Sequence, residues 1–214
     1  MRKFVMANNP FALQAPKILR TSGKSPFGRM ARMAAMALNS EVVWEDMDRL
    51  DPKDPLPQQN PLRKIPCMIL EDGSAIHDST IIMQYLDAHD GRNILLPAPS
   101  PLTFAMLTDA TIAKGITEAA FNMVYEIRNH PEDGQPNMEY VDAQRQKIIG
   151  SIAYFEENLP TTDANMVSIK LAASLGYVSF RGQHDWEGQS PRLSQWLKEF
   201  ADKHVFYGET IPTD

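Results

Sequence analysis

The chain has 214 residues, 43% hydrophobic and 22% charged, an ordinary globular balance with enough length to bury a substantial core in one large domain or two small ones. Its net charge of −6 argues against general nucleic-acid binding, and no apolar run reaches the length of a membrane span. A single cysteine, Cys67, excludes an intramolecular disulfide and points to a reducing, cytoplasmic setting; Arg2 and Lys3 are not followed by the apolar run of a secretion signal.

Residues 1–16 show neither helical nor strand periodicity and contain two prolines, so they are expected to form an extension, packed through Phe4 and Phe11 or disordered. Lys17–Thr21 is expected to be a strand. Ser25-Pro26 then opens a helix to about Leu38, since serine is a favoured N-cap and proline a favoured first residue. Phe27, Met30, Ala31, Ala34, Ala35 and Leu38 form its apolar stripe. Val42–Met47 is expected to be a second strand, and the stretch from Asp51 to Pro61, with four prolines, a loop.

The segment from Asn60 to Leu86 carries the most information. An Ile-Pro step at Ile65-Pro66 precedes a short apolar strand, Cys67–Leu70, which turns at Glu71-Asp72-Gly73 into Ser74–His77. Pro66 lacks an N–H and an X-Pro bond can be cis at modest cost, so the backbone of Ile65 can stay unpaired and bond an extended ligand. Asp78-Ser79 then opens a helix to about Ala88, whose N-terminal amides can receive a carboxylate.

Prolines at 97, 99 and 101 mark a connector, beyond which everything is expected to be helical: Leu102–Asn129, Asn137–Leu159, Asn165–Arg181 as the most apolar segment, and a last helix from Ser190-Pro191 with Leu193, Trp196, Leu197 and Phe200 on one face. The domains are thus an extension over 1–16, an α/β unit over 17–98 and an all-helical unit over 99–214.

Ser25 is the candidate reacting centre. Its hydroxyl stands where a strand passes into a helix, beside unsatisfied amides and the positive end of the macrodipole. That setting suits a thiolate. Lowering a thiol from about 8.5 by about two units takes roughly 2.7 kcal/mol of preference for the charged form, which a hydroxyl donor and a helix terminus can supply. Lys24 adds to it if its ammonium turns inward. Taken alone, Ser25 and the Asp78-Ser79 pair are better explained by simple capping. A basic cluster of Lys17, Arg20, Lys24, Arg29, Arg32, Arg63 and Lys64 suits a small anion or a merely solvated face. Cys67 reads as a core residue, the five histidines show no metal-ligand spacing, and there is no glycine-rich phosphate loop.

Taken in order, these pieces resemble the cytosolic glutathione S-transferases over about residues 17–210, most closely bacterial members with Ser-Pro-Phe at the start of the first helix. The resemblance is carried by Thr21–Arg29, by the run Asn60–Pro66, and by Asp78-Ser79 followed by Ile81, Ile82, Tyr85 and Leu86. Gly176–Arg181, Trp186 and Ser190–Leu193 also fit. It implies a thioredoxin-like N-terminal domain, an all-α C-terminal bundle and a homodimer, with glutathione as co-substrate, no metal and an apolar electrophile. By the family pattern Ser25 would hydrogen-bond the glutathione sulfur, and Ile65, before a cis Pro66, would pair with the cysteinyl part. Asp78 and Ser79 would hold the γ-glutamyl end, and Lys64 would lie near the glycyl carboxylate. Phe121, Tyr125 and Tyr177 are candidates for the electrophile pocket from their helix positions. Three departures stand out: Lys24 where relatives often have a small hydroxyl residue, Ser168 where many carry a capping aspartate, and the extension. The implied activity is conjugation of glutathione; a binding scaffold of the same fold and a glutathione-dependent isomerase or lyase are the alternatives.

Overall fold

A computed structural model of the chain describes residues 13–47, 51, 53–130 and 134–212. Its first half is built on a mixed sheet. Strand β1 (Pro16–Thr21) pairs in parallel with β2 (Val43–Asp46) and antiparallel with β3 (Cys67–Leu70), which pairs antiparallel with β4 (Ala75–His77), giving the order β2-β1-β3-β4. Helix α1 (Pro26–Ala37) makes the crossover between the parallel strands, and α3 (Ser79–Asp90) follows the hairpin. The hairpin turns at Gly73, whose φ of 81° suits a residue without a Cβ.

One short helix interrupts the segment expected to be a loop. Helix α2 (Leu56–Gln59) forms because Asp54 accepts from the Leu56 amide at 2.8 Å and Pro57 sits in the first turn, where a missing N–H costs nothing.

The second half consists of α4 (Pro101–Arg128), α5 (Met138–Glu157), α6 (Met166–Arg181), α7 (Pro191–Lys203) and α8 (Val205–Glu209). The fold is therefore a thioredoxin-like domain followed by a helical domain, as the sequence implied. Helix α6 is the centre of the second half, with Ile169, Leu171, Ala172, Ala173, Leu175 and Val178 fully buried. Helix α1 is enclosed between the sheet with α3 on one side and α6 with α8 on the other, so its apolar stripe widens to include Met33. Alanine and methionine along α1 allow that close approach on two sides.

The altered cap at residue 168 is complete. Asn165 accepts from the amides of Val167 at 2.9 Å and Ser168 at 3.1 Å, while Ser168 accepts from the Asn165 amide at 2.9 Å, a reciprocal box. Phe4 and Phe11 lie outside the described residues. Of the expected extension, Gln14 accepts a bond from the Tyr85 hydroxyl at 2.7 Å and Ala15 one from the Glu71 amide at 3.0 Å, tying the start of the chain to α3 and the hairpin.

Candidate functional site

Three chain segments that the sequence singled out meet at one end of the sheet, after β1, before β3 and after β4. The first is the start of α1. Ser25 lies in extended conformation as the N-cap, half-buried, and its Oγ accepts from the Gly28 amide at 3.1 Å. The bond fixes the oxygen and leaves the hydroxyl proton free to donate elsewhere. Capping and donation to a ligand are thus compatible, not competing, roles. Gly28 makes the geometry possible. A Cβ at that position would drive into Thr21 Oγ1 and stand 3.2 Å from Ser25 Cβ. Lys24 is exposed.

The second segment leads into β3. The Ile65-Pro66 bond is cis, and strand pairing begins at Cys67, so Ile65 lies outside the ladder. Asn60 holds this loop. It is buried, its Nδ2 donates to the Lys64 carbonyl at 2.7 Å, and its Oδ1 accepts from the Leu62 amide at 3.0 Å. The Lys64 side chain itself is exposed. Replacing Asn60 with alanine leaves two backbone groups without those partners and is expected to cost about 2–3 kcal/mol. Urea unfolding checks the loss, and weakened glutathione binding should accompany it.

The third segment is the start of α3. Cys67 faces His77 across the hairpin, so continuing the register one step sets Pro66 beside Asp78. Asp78 is the N-cap with φ of 75°, and its Oδ1 accepts from the Thr80 amide at 2.7 Å. Its Oδ2 meets Lys114 Nζ of α4 at 2.8 Å. Burial pushes the Asp78 carboxyl up, but Lys114 and the amides of Thr80 and Ile81 outweigh it and hold the group below its ordinary value. Ser79 is buried, and its Oγ has no hydrogen-bond partner.

The helical domain meets the start of α1 through aromatic rings. Phe121 of α4 meets Phe27 of α1 edge-on with ring centres 5.7 Å apart, and Tyr125 lies 4.3 Å from Phe121. This aromatic group stands two residues beyond Ser25. Tyr177 is elsewhere: it is only 2% exposed, a core residue of α6 with the Arg181 guanidinium 5.3 Å over its ring. Its buried ring offers no face to a ligand between the domains, so the pocket assignment for it is withdrawn.

Nor do the basic residues of the first third converge on an anion. Arg29 is buried and donates to the Tyr207 carbonyl at 2.9 Å and the Thr210 hydroxyl at 3.3 Å, fastening α1 to α8. Burial pushes its pKa down. Arg32 is buried 5.6 Å over Trp44, Arg20 bonds Glu45 and Gln59, and Lys17, Arg63 and Lys64 are exposed.

Sequence reasoning missed Gly28, Asn60, Lys114 and Lys170. The first carried a signal, a glycine in the first turn of a helix, which marks a close approach. Lys170 carried none. It lies in α6, is 1% exposed, and its Nζ donates to Thr80 Oγ1 at 2.8 Å. Burial pushes it down to about 8, Lys114 pushes in the same direction, and Asp78 and Glu118 oppose them. With its folded value below its ordinary one, the folded chain binds fewer protons than the unfolded chain between about pH 8 and about 10.5, and stability rises with pH in that window. Lys170→Met is therefore expected to stabilise the protein at pH 7, by about 1–3 kcal/mol, with the gain shrinking above about pH 8; denaturant unfolding at both ends of the window checks it.

Residues 24–89 match the family model described as the glutathione S-transferase N-terminal domain. The fold is the glutathione S-transferase fold, and these likenesses support placement in that superfamily. A glutathione S-transferase from Methylobacillus flagellatus KT, crystallised with GSH bound, superposes with a TM-score of 0.85 at 28% identity, over 92% of this chain and 99% of that one. A glutathione transferase family member from Pseudomonas fluorescens Pf-5, with bound glutathione, gives 0.81 at 29% identity over 92% and 99%. In sequence, the chain is 28% identical over 190 residues to the uncharacterized GST-like protein YibF of Escherichia coli K12, covering 85% of this chain and 92% of the relative. Among the described residues no group of histidine, cysteine and acidic side chains is placed to hold a metal ion, and no helix is long and apolar enough to cross a membrane.

Proposed function

We propose that the chain is a glutathione S-transferase that binds glutathione along the Ser25, Ile65 and Asp78-Ser79 edge and conjugates it to an apolar electrophile. The observation that carries the reading is the Ser25 hydroxyl, fixed by the Gly28 amide with its proton free, at the positive end of α1.

Ser25 donates to the sulfur and stabilises the thiolate. Ile65, beyond the end of strand pairing, offers its backbone to the cysteinyl part. The γ-glutamyl end lies at α3, its ammonium towards Asp78 and its carboxylate towards the amides and hydroxyl of Ser79, and Lys64 faces the glycyl carboxylate. The thiol proton passes to solvent, the sulfur forms its bond to the electrophilic carbon, and the leaving group departs with its electron pair. Phe27, Phe121 and Tyr125 give that electrophile an apolar wall. Catalysis is anion stabilisation and proximity.

The division at 16/17 and 98/99, a homodimer and a cytoplasmic role in detoxification belong to the same proposal. Exposed large apolar side chains at Leu62, Ile81, Leu102 and Phe104 support pairing of two copies. Conjugation of glutathione to an activated aryl halide, followed spectrophotometrically, tests the function. Turnover saturating in glutathione is expected; calorimetry showing no glutathione binding would overturn the reading.

A further inference from the structure

We propose that Lys170 is the buried countercharge for the ligand carboxylate received at the start of α3, and that it sets the affinity of that subsite as a positioning residue. The inference rests on the glutathione reading above and adds to it a residue from the centre of the helical domain. Lys170 Nζ lies inside the protein with one hydroxyl, Thr80 Oγ1 at 2.8 Å, as its bonded partner. An ammonium has three protons to donate, and burial without a countercharge is costly. Among the described residues no carboxylate pairs with it. Asp78 and Glu118, the acidic groups that face it from α3 and α4, are held by Lys114 at 2.8 and 3.5 Å.

Lys114 is matched by Asp78 and Glu118, so the ammonium left without a bonded carboxylate is Lys170, beneath Thr80. The free amides at the start of α3 favour negative charge in the same turn. In that turn Ser79 Oγ is buried and unpartnered. A buried ammonium, helix amides and an unpartnered hydroxyl together suit one anion. The protein's own carboxylates bond Lys114 and not Lys170. A ligand carboxylate supplies that anion. Thr80 transmits the effect: Asp78 grips its amide and Lys170 its hydroxyl, so the charge acts through the turn that holds the ligand and not by touching it.

A methionine would fill the same volume without the penalty of a buried charge. Lysine at this position therefore acts against stability in the empty protein, and the compensation is expected on binding. The carboxylate of the ligand then raises the Lys170 pKa, so affinity should fall as pH rises through the range in which the empty site loses this proton, from about 8 upwards.

The test is calorimetric titration with S-methylglutathione, which has no ionisable thiol, from about pH 6.5 to about 9.5. Wild type, Lys170→Met and Lys170→Arg are compared. At neutral pH K170M should bind about tenfold more weakly than wild type while melting no lower, and the two should converge towards the alkaline end. K170R keeps its charge throughout and should hold its affinity where wild type loses it. Titration of the ligand's own amino group is common to all three and drops out of the comparison. Equal affinity of wild type and K170M at neutral pH, with parallel pH profiles, would overturn the inference while leaving the glutathione site standing. Wild type failing to bind S-methylglutathione at all would overturn both. Should K170M not fold, a K170R profile that parallels wild type decides against the inference by itself.

Discussion

Ser25→Ala is expected to lower the rate of glutathione conjugation about 100-fold, with the dissociation constant for glutathione changed by no more than a few-fold. On the proposed reading the hydroxyl donates to the sulfur, and a donor aimed at an anion in a partly dry site is worth about 2–3 kcal/mol. The same reading gives the rest of the tripeptide to Ile65 and the start of α3, so binding survives. Alanine also removes the cap on the Gly28 amide, at about 1 kcal/mol of stability. Separate measurement of kcat, KM and the unfolding midpoint keeps the two losses apart. A variant with lowered stability and unchanged kcat would leave Ser25 as a cap and nothing more.

Gly28→Ala is the second large effect, and its sign runs against helix propensity. On an open helix surface the change stabilises by about 1 kcal/mol. Here the added methyl meets Thr21 Oγ1, Ser25 Cβ at 3.2 Å and Ser25 Oγ at 3.4 Å. The Thr21 side chain belongs to a paired strand and Ser25 is fixed by its own cap, so neither gives way without moving β1 against α1. Net destabilisation of about 2 kcal/mol or more is expected, with activity lost in step because the overlap with Thr21 forces apart the turn that carries Ser25. Thr21 Oγ1 is buried and makes no hydrogen bond, so Thr21→Ala alone should cost about 1 kcal/mol or less. The double variant should recover most of the stability lost in Gly28→Ala. A double-mutant cycle with no coupling between the two positions would contradict this account of the turn.

What could be read from the sequence was whatever local chemistry dictates. Ser25-Pro26 announced a helix start because a cap and a first-turn proline are local requirements. Ile65-Pro66 announced an interruption before a strand because proline lacks a donor, and Asp78-Ser79 announced the second helix start for the same kind of reason. These three places, separated in the chain, are the ones the fold brings to one end of the sheet. The long helices were legible from periodicity. The one-turn helices α2 and α8 were not, since four or five residues carry too little of a period.

The misread residues share a cause: their environment is made by packing between elements, which local sequence does not display. Arg29 and Arg32 look like a basic surface, yet α1 is covered on both sides. The Arg29 guanidinium passes over Gly176 of α6 to reach the carbonyl of Tyr207, a meeting of three distant segments that no window of sequence displays. Tyr177 was placed in the pocket by helix position, but α6 is the hub of its domain and hides that ring. Lys170 looks like any helical lysine, and only packing against Thr80 shows it to be buried. Phe121 and Tyr125 were named from helix position alone, and their grouping with Phe27 of α1 is a contact between segments that the sequence did not display.

The ionisation of sulfur in the bound tripeptide tests the central claim most directly. Ultraviolet difference titration of glutathione on the wild-type protein should show thiolate forming about one to two pH units below the free thiol, and Ser25→Ala should return most of that shift. A bound thiol that titrates like the free one, in a protein that holds glutathione tightly, would contradict the account.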